Sequence, residues 1–354
     1  MEHINKTLII GLGLIGGSFA KALKKYDISK EIYACDLDEE SIMLAKESGV
    51  IKGVKNLNED ISEFDLIAIA TPLSTYLAIF KQIENKISAH TTVIDLGSVK
   101  EFAAKSSPKN LKNNLILGHP IAGSDQVGFA NAEGDLFLNR KFIICPENSD
   151  KIKLKKVENL VKKIGGKVEF LEAKKHDEIY ALVSHLPQFL SFWSKEFSPQ
   201  KIAEDSKNNR LQLAFRLDNS SPEIWSDIFK FNQENLEKFY LEFFDNLEKF
   251  EQKISEKKFA AIIQDISAEA ELKNETEFSD EFLKNNFAEV FLRILIVASY
   301  LRIAKIKEFQ SFAGQGFKDF TSIISAINFE EKELISLLEK NQQKISKLFT
   351  KLLS

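Results

Sequence analysis

The chain has 354 residues and a mass of 40.2 kDa, which is enough for about two or three domains with a substantial core. Its formal net charge of -4, from 48 Lys and Arg against 52 Asp and Glu, excludes a global attraction to nucleic acid or to an anionic membrane. The two cysteines, Cys35 and Cys145, are far apart and lack metal-ligand spacing, which argues against a disulfide framework or a zinc site.

The N-terminal segment "MEHINKTLII" lacks the basic residues and the long apolar run of a signal peptide. No apolar stretch approaches the roughly 18 residues that a membrane-spanning helix needs. We therefore expect a cytoplasmic protein that binds no metal, no nucleic acid and no membrane.

The N-terminal half of the chain alternates short apolar runs with helical stretches. The runs that predict strands are "TLIIGLG", "EIYACD", "FDLIAIATP", "TTVIDLGS", "NLILGHP", "KFIICP" and "KVEFL". Between the first four lie "LIGGSFAKALKKY", "EESIMLAKESG" and "STYLAIFKQIENKI", with apolar residues at helical spacing. This alternation predicts a doubly wound, mainly parallel α/β domain of Rossmann type over residues 1–172.

From residue 173 onward the pattern becomes helical. Segments such as "DEIYALVSHLPQFLSFWSKEF" and "FLKNNFAEVFLRILIVASYLRIA" carry apolar residues three and four positions apart. We predict an all-α substrate and dimerisation domain over residues 173–257 and a helical extension over residues 258–354. The long apolar faces exceed what one small bundle needs, which favours a homodimer built through the helices.

A glycine-rich segment follows the first predicted strand. In "GLGLIGGSFAKAL", Gly11, Gly13 and Gly16 have the G-x-G-x-x-G spacing between a strand and a helix. Gly11 would allow the tight turn, Gly13 would let the backbone approach a pyrophosphate, and Gly16 would let the helix pack closely. The helix N-terminus adds N–H groups and a partial positive charge. The segment predicts a dinucleotide site.

The end of the second predicted strand indicates which dinucleotide binds. Asp36 closes "EIYACD", about twenty residues beyond the glycines, where a carboxylate accepts the ribose hydroxyls and repels a 2′-phosphate. This favours NAD over NADP. Asp38 is an alternative partner, and a merely solvated acidic loop is the structural alternative. The expected cofactor contacts are Gly11, Leu12, Gly13, Leu14, Ile15, Gly16, Asp36, Thr71, Pro72 and Ser98.

Two further segments follow the fourth and fifth predicted strands. "DLGSVK" contains Ser98, and "LGHPIAGS" contains His119. Because the carboxyl ends of parallel strands border the ligand crevice, we expect Ser98 and His119 to meet beside the nicotinamide. A neutral imidazole is suited to accept a hydroxyl proton as hydride leaves the same carbon, and Ser98 could orient that hydroxyl. A buried structural histidine is the alternative interpretation of His119.

Five motifs together resemble one enzyme family. "GLGLIGGS", "DLGSVK", "GHPIAGSDQVGF", "VSHLPQFL" and "SSPEIWSDIFKFNQENL" occur in the order and rough spacing of prephenate dehydrogenases, over about residues 5–255. The resemblance implies NAD-dependent oxidative decarboxylation of prephenate to 4-hydroxyphenylpyruvate in tyrosine biosynthesis. A close variant of the family accepts arogenate and makes tyrosine.

The resemblance also implies roles for single residues. His119 matches the histidine that bonds the ring hydroxyl of the substrate, and Ser98 matches the serine that assists it. Asp125 falls where the family has an acidic residue at the mouth of the site, and we expect its neighbour Ser124 to contact the substrate as well. His185 falls on a helix that lines the pocket.

The carboxylates of the substrate call for a cation, preferably the planar fork of an arginine. Arg216 aligns with the family arginine, but "RLQLAFRLDNSSPEIW" lacks the Gly-Phe-Lys-Asp start of that motif. The start recurs in "FAGQGFKDFTSIISA", where Ser322 stands in place of the arginine. We expect Arg216 to bind a carboxylate, with Arg210 and Arg293 as alternatives. The loop from Gly316 to Asp319 in the second segment either closes a site, within one subunit or across a dimer, as part of a diverged helical repeat, or is a turn between helices.

Other functions and substrates stay open at this point. Gln188 stands where some family members have a second histidine and carries no charge at neutral pH, so prephenate and arogenate are not separated. A β-hydroxyacid dehydrogenase would use a lysine as acid or base, and no motif replaces the set around His119. A non-catalytic NAD-binding regulator would need only the Rossmann half, yet both Ser98 and His119 are present.

Overall fold

The computed structural model describes residues 4–123, 126–147, 149–195, 217–269, 280–304, 311–323 and 331–353. The chain divides into two compact units. The first is Met1–Glu178 with Pro222–Asn232, and the second is Ile179–Ser221 with Gln233–Ser354. Residues 173–178 and 222–232 thus group with the first unit. The division into 1–172, 173–257 and 258–354 stays a prediction.

One sheet forms the centre of the first unit. In the described residues its strands are β1 (Ile4–Ile10), β2 (Ser29–Cys35), β3 (Gly53–Val54), β4 (Leu66–Ile69), β5 (Thr92–Asp95), β6 (Leu115–Pro120), β7 (Lys141–Cys145) and β8 (Lys167–Phe170). They lie in the order β3-β2-β1-β4-β5-β6-β7-β8. All neighbours pair in parallel except β6 and β7, which are antiparallel. The predicted mainly parallel sheet is confirmed. The strand β3 was not predicted, because its two residues are too few to show an alternating or apolar pattern.

The helices of the first unit follow the strands. They are α1 (Leu14–Lys25), α2 (Glu39–Glu47), α3 (Tyr76–Ile83), α4 (Glu101–Ser106), α5 (Lys109–Lys112), α6 (Lys151–Lys163) and the start of α7 (Ala173–Tyr180). Helix α1 places Phe19, Ala20 and Leu23 in the core, because these residues recur at helical spacing on one face.

The central strands set the position of a ligand crevice. Every residue of β4 and of β5 is buried, as expected for strands covered on both faces. The strand order reverses between β1 and β4, since β1 leads outward to β2 and β3 while β4 leads to β5 and β6. In doubly wound sheets a ligand binds outside the carboxyl ends of the strands at such a switch point.

The second unit is helical in its described residues. It contains α8 (Leu186–Ser194), α10 (Gln233–Ser255), α11 (Phe259–Glu269), α12 (Asp280–Ala304), α13 (Gln315–Thr321) and α14 (Glu331–Leu353), while α9 (Pro222–Phe231) belongs to the first unit. Helix α12 packs against α10 and α14, and all its residues from Val290 to Tyr300 are buried. The predicted helical second half is confirmed. Within the described ranges, no helix combines the length and the apolar character needed to cross a bilayer.

Candidate functional site

The glycine-rich loop joins β1 to α1 at the switch point. Gly11 has a φ of 95°, and a Cβ there would lie 2.5 Å from the Ala70 carbonyl oxygen. A Cβ on Gly16 would lie 1.8 Å from the Gly11 carbonyl oxygen, whereas no described atom lies within 4 Å of that position on Gly13. The turn and the helix packing therefore require Gly11 and Gly16. Gly13 borders open space suited to a pyrophosphate.

Leu12, Leu14 and Ile15 fill the loop between the glycines. Leu12 is buried, while Leu14 and Ile15 are half-buried at the start of α1. No side chain of the described residues caps this helix end. The N–H groups of its first turn have no acceptor within the helix, so they are available to an anionic group outside Gly13.

Asp36 follows β2 and links two loops. Its Oδ2 accepts a hydrogen bond from the Leu12 N–H, and its Oδ1 accepts one from the Asp38 N–H at 2.8 Å. Because a carboxylate has about four acceptor positions, Asp36 retains capacity for ribose hydroxyls. Asp38 instead caps α2, and a hydrogen bond from the Ser41 hydroxyl at 2.6 Å lowers the pKa of Asp38. The geometry favours Asp36 over Asp38 as the ribose partner.

Thr71, Pro72 and Ser98 lie just beyond the carboxyl ends of β4 and β5. The hydroxyl oxygens of Thr71 and Thr75 are 2.8 Å apart, and Pro72 precedes a short 3-10 turn. Ser98 is half-buried, three positions after Asp95 at the end of β5. These residues border the same edge of the sheet as the glycine-rich loop.

His119 lies near the carboxyl end of β6, the strand next to β5. The structure thus brings Ser98 and His119 to neighbouring strand ends. The Nδ1 of His119 lies 2.8 Å from the Nε2 of His176, and the two ring centroids are 5.0 Å apart. His119 is half-buried, whereas His176 has no exposed surface. His119 is therefore a partly accessible imidazole supported by a fully buried one.

Asp177 binds the other side of the His176 ring. The Nδ1 of His176 lies 2.7 Å from Asp177 Oδ1. The same carboxylate accepts the backbone N–H groups of Lys100 and Glu101, each at 2.8 Å. Burial, together with the positive charge of Lys100, lowers the pKa of His176 well below its usual value. His176 is therefore neutral in the folded protein at neutral pH.

The side chain of Lys100 is fully buried between β5 and β6. Its Nζ pairs with Asp95 and donates to the Gly118 carbonyl at 2.6 Å, and the Tyr76 hydroxyl also donates to Asp95. The lysine of "DLGSVK" thus holds two strand ends together. Because it is buried in this ion pair, it does not offer the lysine acid or base expected of a β-hydroxyacid dehydrogenase.

Two predicted pocket residues lie in the second unit. His185 is buried and ends a π-helical turn that precedes α8, a local geometry frequent at functional sites. Gln188 is buried in α8, where its Nε2 donates to the Leu217 carbonyl at 2.8 Å and its Oε1 accepts from the Ser220 hydroxyl at 3.3 Å. Gln188 therefore holds the segment that directly follows Arg216.

Arg293, an alternative for the substrate arginine, is buried in α12. Its Nη2 lies 2.6 Å from Asp218 Oδ1, and its guanidinium donates to the Ser191 hydroxyl at 3.0 Å and to the Ser194 hydroxyl. The ring of Phe320 lies 5.6 Å from the guanidinium carbon. Because Arg293 is held by a buried carboxylate of its own unit, the geometry disfavours it as the substrate arginine.

Ser124, Asp125, Arg210 and Arg216 lie outside the described residues, so their roles stay predictions. The second Gly-Phe-Lys-Asp segment is described. It forms the short helix α13, which begins after Gly314, and the stretch that we expected to be a loop or a turn is therefore helical. Its Asp319 is buried and accepts a hydrogen bond from Gln315 Nε2 at 2.6 Å.

Sequence reasoning missed His176 and Asp177. The signal was present in "KKHDEIY", where one of only five histidines stands beside an aspartate in the first helix after the last strand. Nothing in the local pattern links this helix to β6, because 57 positions separate His176 from His119. The contact exists only once the sheet is assembled.

Comparison with known proteins identifies one family along most of the chain. The family model "Prephenate dehydrogenase, nucleotide-binding domain" matches residues 19–170, and "Prephenate dehydrogenase, dimerization domain" matches residues 172–267. The chain is similar to the prephenate dehydrogenase of Bacillus subtilis, with 28% identity over 249 residues, which is 67% of each protein. It is 33% identical over 192 residues to that of Lactococcus lactis subsp. cremoris, which covers 53% of this chain and 52% of the relative.

A solved structure shows the same fold. It is prephenate dehydrogenase from Aquifex aeolicus in complex with hydroxyphenyl propionate and NAD+, with a TM-score of 0.62 and 28% identity. The match covers 88% of this chain and 99% of that chain. From the two family models and this likeness, the chain belongs to the prephenate dehydrogenase family.

Proposed function

We propose that this chain catalyses the NAD-dependent oxidative decarboxylation of prephenate to 4-hydroxyphenylpyruvate. The observation that carries the proposal is the placement of Ser98 and His119 at neighbouring strand ends, on the sheet edge that also holds the glycine-rich loop. A proton acceptor, a hydroxyl and a dinucleotide loop on one edge are what hydride removal from an alcohol carbon needs. Membership of the family supplies the substrate class.

The loop residues fit NAD. The pyrophosphate would lie in the open space beside Gly13 and the first-turn N–H groups of α1, and Asp36 would accept the ribose hydroxyls. Thr71 and Pro72 border the crevice beyond β4. When bound, NAD supplies the hydride acceptor.

The chain's own residues would position the substrate and manage one proton. His119 would accept the hydrogen bond of the C4 hydroxyl and take its proton as hydride leaves C4, with Ser98 orienting that hydroxyl. The ring carboxylate leaves as CO2, the electrons of the broken bond restore aromaticity in the ring, and the proton held by His119 returns to the ring oxygen to give the phenol of the product. Because much of the driving force belongs to the substrate, the protein contributes chiefly position and orientation.

The substrate carboxylates require a cation, and we assign this role to Arg216. The contacts of Gln188 with the segment directly after Arg216 support the assignment, since they hold that segment against α8. His185 would line the pocket, with Ser124 and Asp125 at its mouth. Gln188 then acts on the substrate mainly through the position of Arg216.

We also propose a homodimer built through the helical half, since the chain carries the dimerization domain of the family. Residues 258–354 would extend that helical part as a diverged repeat, beyond a substrate domain at 173–257. Sedimentation at micromolar concentration tests the assembly, and a compact monomer there would contradict it.

The test of the proposed function is a matrix of prephenate or arogenate with NAD or NADP, compared by kcat/KM from the absorbance of the reduced cofactor. We expect the largest kcat/KM with prephenate and NAD. A larger value with arogenate would make the chain an arogenate dehydrogenase. No reaction with either substrate, although NAD binds, would favour a non-catalytic NAD-binding regulator.

Two variants test the residue assignments. His119→Asn should lower kcat by about 10²- to 10⁴-fold while the Kd for NAD stays unchanged, because only the proton acceptor is removed. His90→Asn, at an exposed histidine, is the matched control.

Arg216→Ala should raise KM for prephenate about 10- to 100-fold, the value of one lost charge-assisted contact. An unchanged KM would exclude Arg216 from carboxylate binding.

A further inference from the structure

We propose that His176 and Asp177 are positioning residues that set the tautomer of His119, so that its Nε2 is the nitrogen that accepts the substrate proton. The proposal rests on the proposed function in one respect, the role of His119 as proton acceptor. The hydrogen-bond chain itself, His119 to His176 to Asp177, joins β6 to α7 within the first unit.

The chain is anchored at Asp177. Oδ1 of this carboxylate accepts the Lys100 N–H and Oδ2 accepts the Glu101 N–H, each at 2.8 Å. Backbone amides can only donate, so both oxygens of Asp177 serve as acceptors. The Nδ1 of His176, 2.7 Å from Oδ1, must therefore carry a proton and donate it. Asp177 thereby determines which way the His176 ring is protonated.

The second step passes through the neutral ring of His176. A neutral imidazole with its proton on Nδ1 has a lone pair on Nε2 and can only accept there. The Nδ1 of His119, 2.8 Å away, must then be the donor. His119 in its neutral form is left with the lone pair on Nε2, the nitrogen on the opposite side of the ring from His176.

This order excludes the unproductive tautomer of His119. If His176 donated from Nε2 instead, His119 would accept on Nδ1 and carry its own proton on Nε2. That nitrogen could then not take a proton from a substrate hydroxyl. In catalytic triads a wrong tautomer of the histidine lowers the rate by about 10⁴-fold although the geometry is intact.

The surrounding charges are compatible with this arrangement. His176 contacts His119 from β6 and Asp177 from its own helix, and the nearby positive charge of Lys100 is paired with Asp95. The Asp177 carboxylate helps to stabilise an imidazolium at His119 once the proton has arrived. Because His176 has no exposed surface, it acts through His119 rather than on the substrate.

Nitrogen-15 NMR measures the tautomer of His119 directly. In protein labelled with 15N-histidine, the protonated and the unprotonated ring nitrogens of a neutral imidazole resonate far apart. With only five histidines in the chain, the His119→Asn variant identifies the His119 signals by their loss. We expect His119 to carry its proton on Nδ1 in the enzyme without substrate. A proton on Nε2 would overturn the proposal.

Two variants of His176 separate positioning from structure. His176→Gln keeps an acceptor oxygen for His119 and should retain the Nδ1-protonated tautomer and most of kcat. His176→Leu removes the acceptor and should yield mixed tautomers, with kcat lowered about 10- to 100-fold and the KM for prephenate and the Kd for NAD little changed. His90→Gln is the control for the loss of a histidine.

Other results would contradict either the positioning role of His176 or the proposed function. A wild-type kcat in His176→Leu would show that His176 is inert. An equally lowered kcat, a raised KM for prephenate and weaker NAD binding in both His176 variants would show a merely structural role. Either result would overturn the positioning role. A wild-type enzyme inactive toward prephenate with the expected tautomer would overturn the proposed function instead. The tautomer is measured without substrate, so the two failures are distinguishable.

Discussion

Arg293 and Asp218 form a buried ion pair in the second unit, with Nη2 and Oδ1 2.6 Å apart and both residues at most 5% exposed. Asp218 lies two positions after Arg216. Through Asp218, the pair holds the turn Leu217–Asn219 against α8 and α12. One arginine thus holds the segment, and we assign another, Arg216, to the substrate.

Replacing Arg293 with Ala should lower the free energy of unfolding by about 3–5 kcal/mol, because Asp218 would remain buried without its counter-charge. Urea unfolding measures the change. Arg302→Ala is the matched control on the same helix, since Arg302 pairs with Asp265 at 3.1 Å in a more exposed position, where a pair contributes about 1 kcal/mol or less. Equal losses in the two variants would contradict the structural role of Arg293.

The glycines of the loop should respond differently to an added methyl group. Gly16→Ala should lower the free energy of unfolding by about 3 kcal/mol, the upper end for overpacked sites, because its Cβ would meet the Gly11 carbonyl. Gly13→Ala should change stability by less than about 1 kcal/mol but raise the Kd for NAD about tenfold or more. Thermal unfolding and NAD titration separate the effects, and unchanged NAD affinity in Gly13→Ala would place the pyrophosphate elsewhere.

Cofactor choice should depend on Asp36 and not on Asp38. Asp36→Asn removes the charge that repels a 2′-phosphate, so the ratio of kcat/KM for NAD to that for NADP should fall about tenfold or more. Asp38→Asn is the control, because asparagine caps a helix as well as aspartate does. A change of the ratio in Asp38→Asn alone would transfer the ribose contact to that residue.

Stability should fall as the pH is lowered from 7 to 5, in part through His176. In the unfolded chain a histidine titrates near pH 6.5, whereas burial holds the pKa of His176 well below this in the folded protein. Between the two values the unfolded chain binds more protons, so the free energy of unfolding decreases by up to about 1.4 kcal/mol per pH unit. His176→Gln should show a shallower decrease, with His90→Gln as control. Equal slopes in wild type and His176→Gln would show that His176 is protonated in the folded protein as well.

Much of the first unit was predictable from local pattern. A fully apolar run such as that of β4 has few alternatives to a strand covered on both faces in a parallel sheet, and the glycines at 11, 13 and 16 specify the loop that follows β1. His119 was recognisable because it is a rare residue at a strand end. The strand β3, of two residues, was too short to carry a period.

Local pattern also identified the helical half, but not the contacts within it. The segment around Phe317 matched the start of a family motif, and only the structure shows it as a short helix beside Arg293. Gln188 was predicted to contact the substrate, and the structure shows its amide bound to Leu217 and Ser220. Such contacts depend on how helices pack, which apolar spacing does not specify.

The sequence by itself determined the alternation of strands and helices, the dinucleotide loop, the acidic residue after β2 and the histidine near the carboxyl end of β6, because each depends on residues close together in the chain. Only the tertiary structure decided which side chain supports that histidine, namely His176. His176 reaches His119 because β7 turns back antiparallel beside β6 and the chain returns through β8 to α7. Contacts between residues far apart in the chain follow from the assembled sheet, and local periodicity does not encode them.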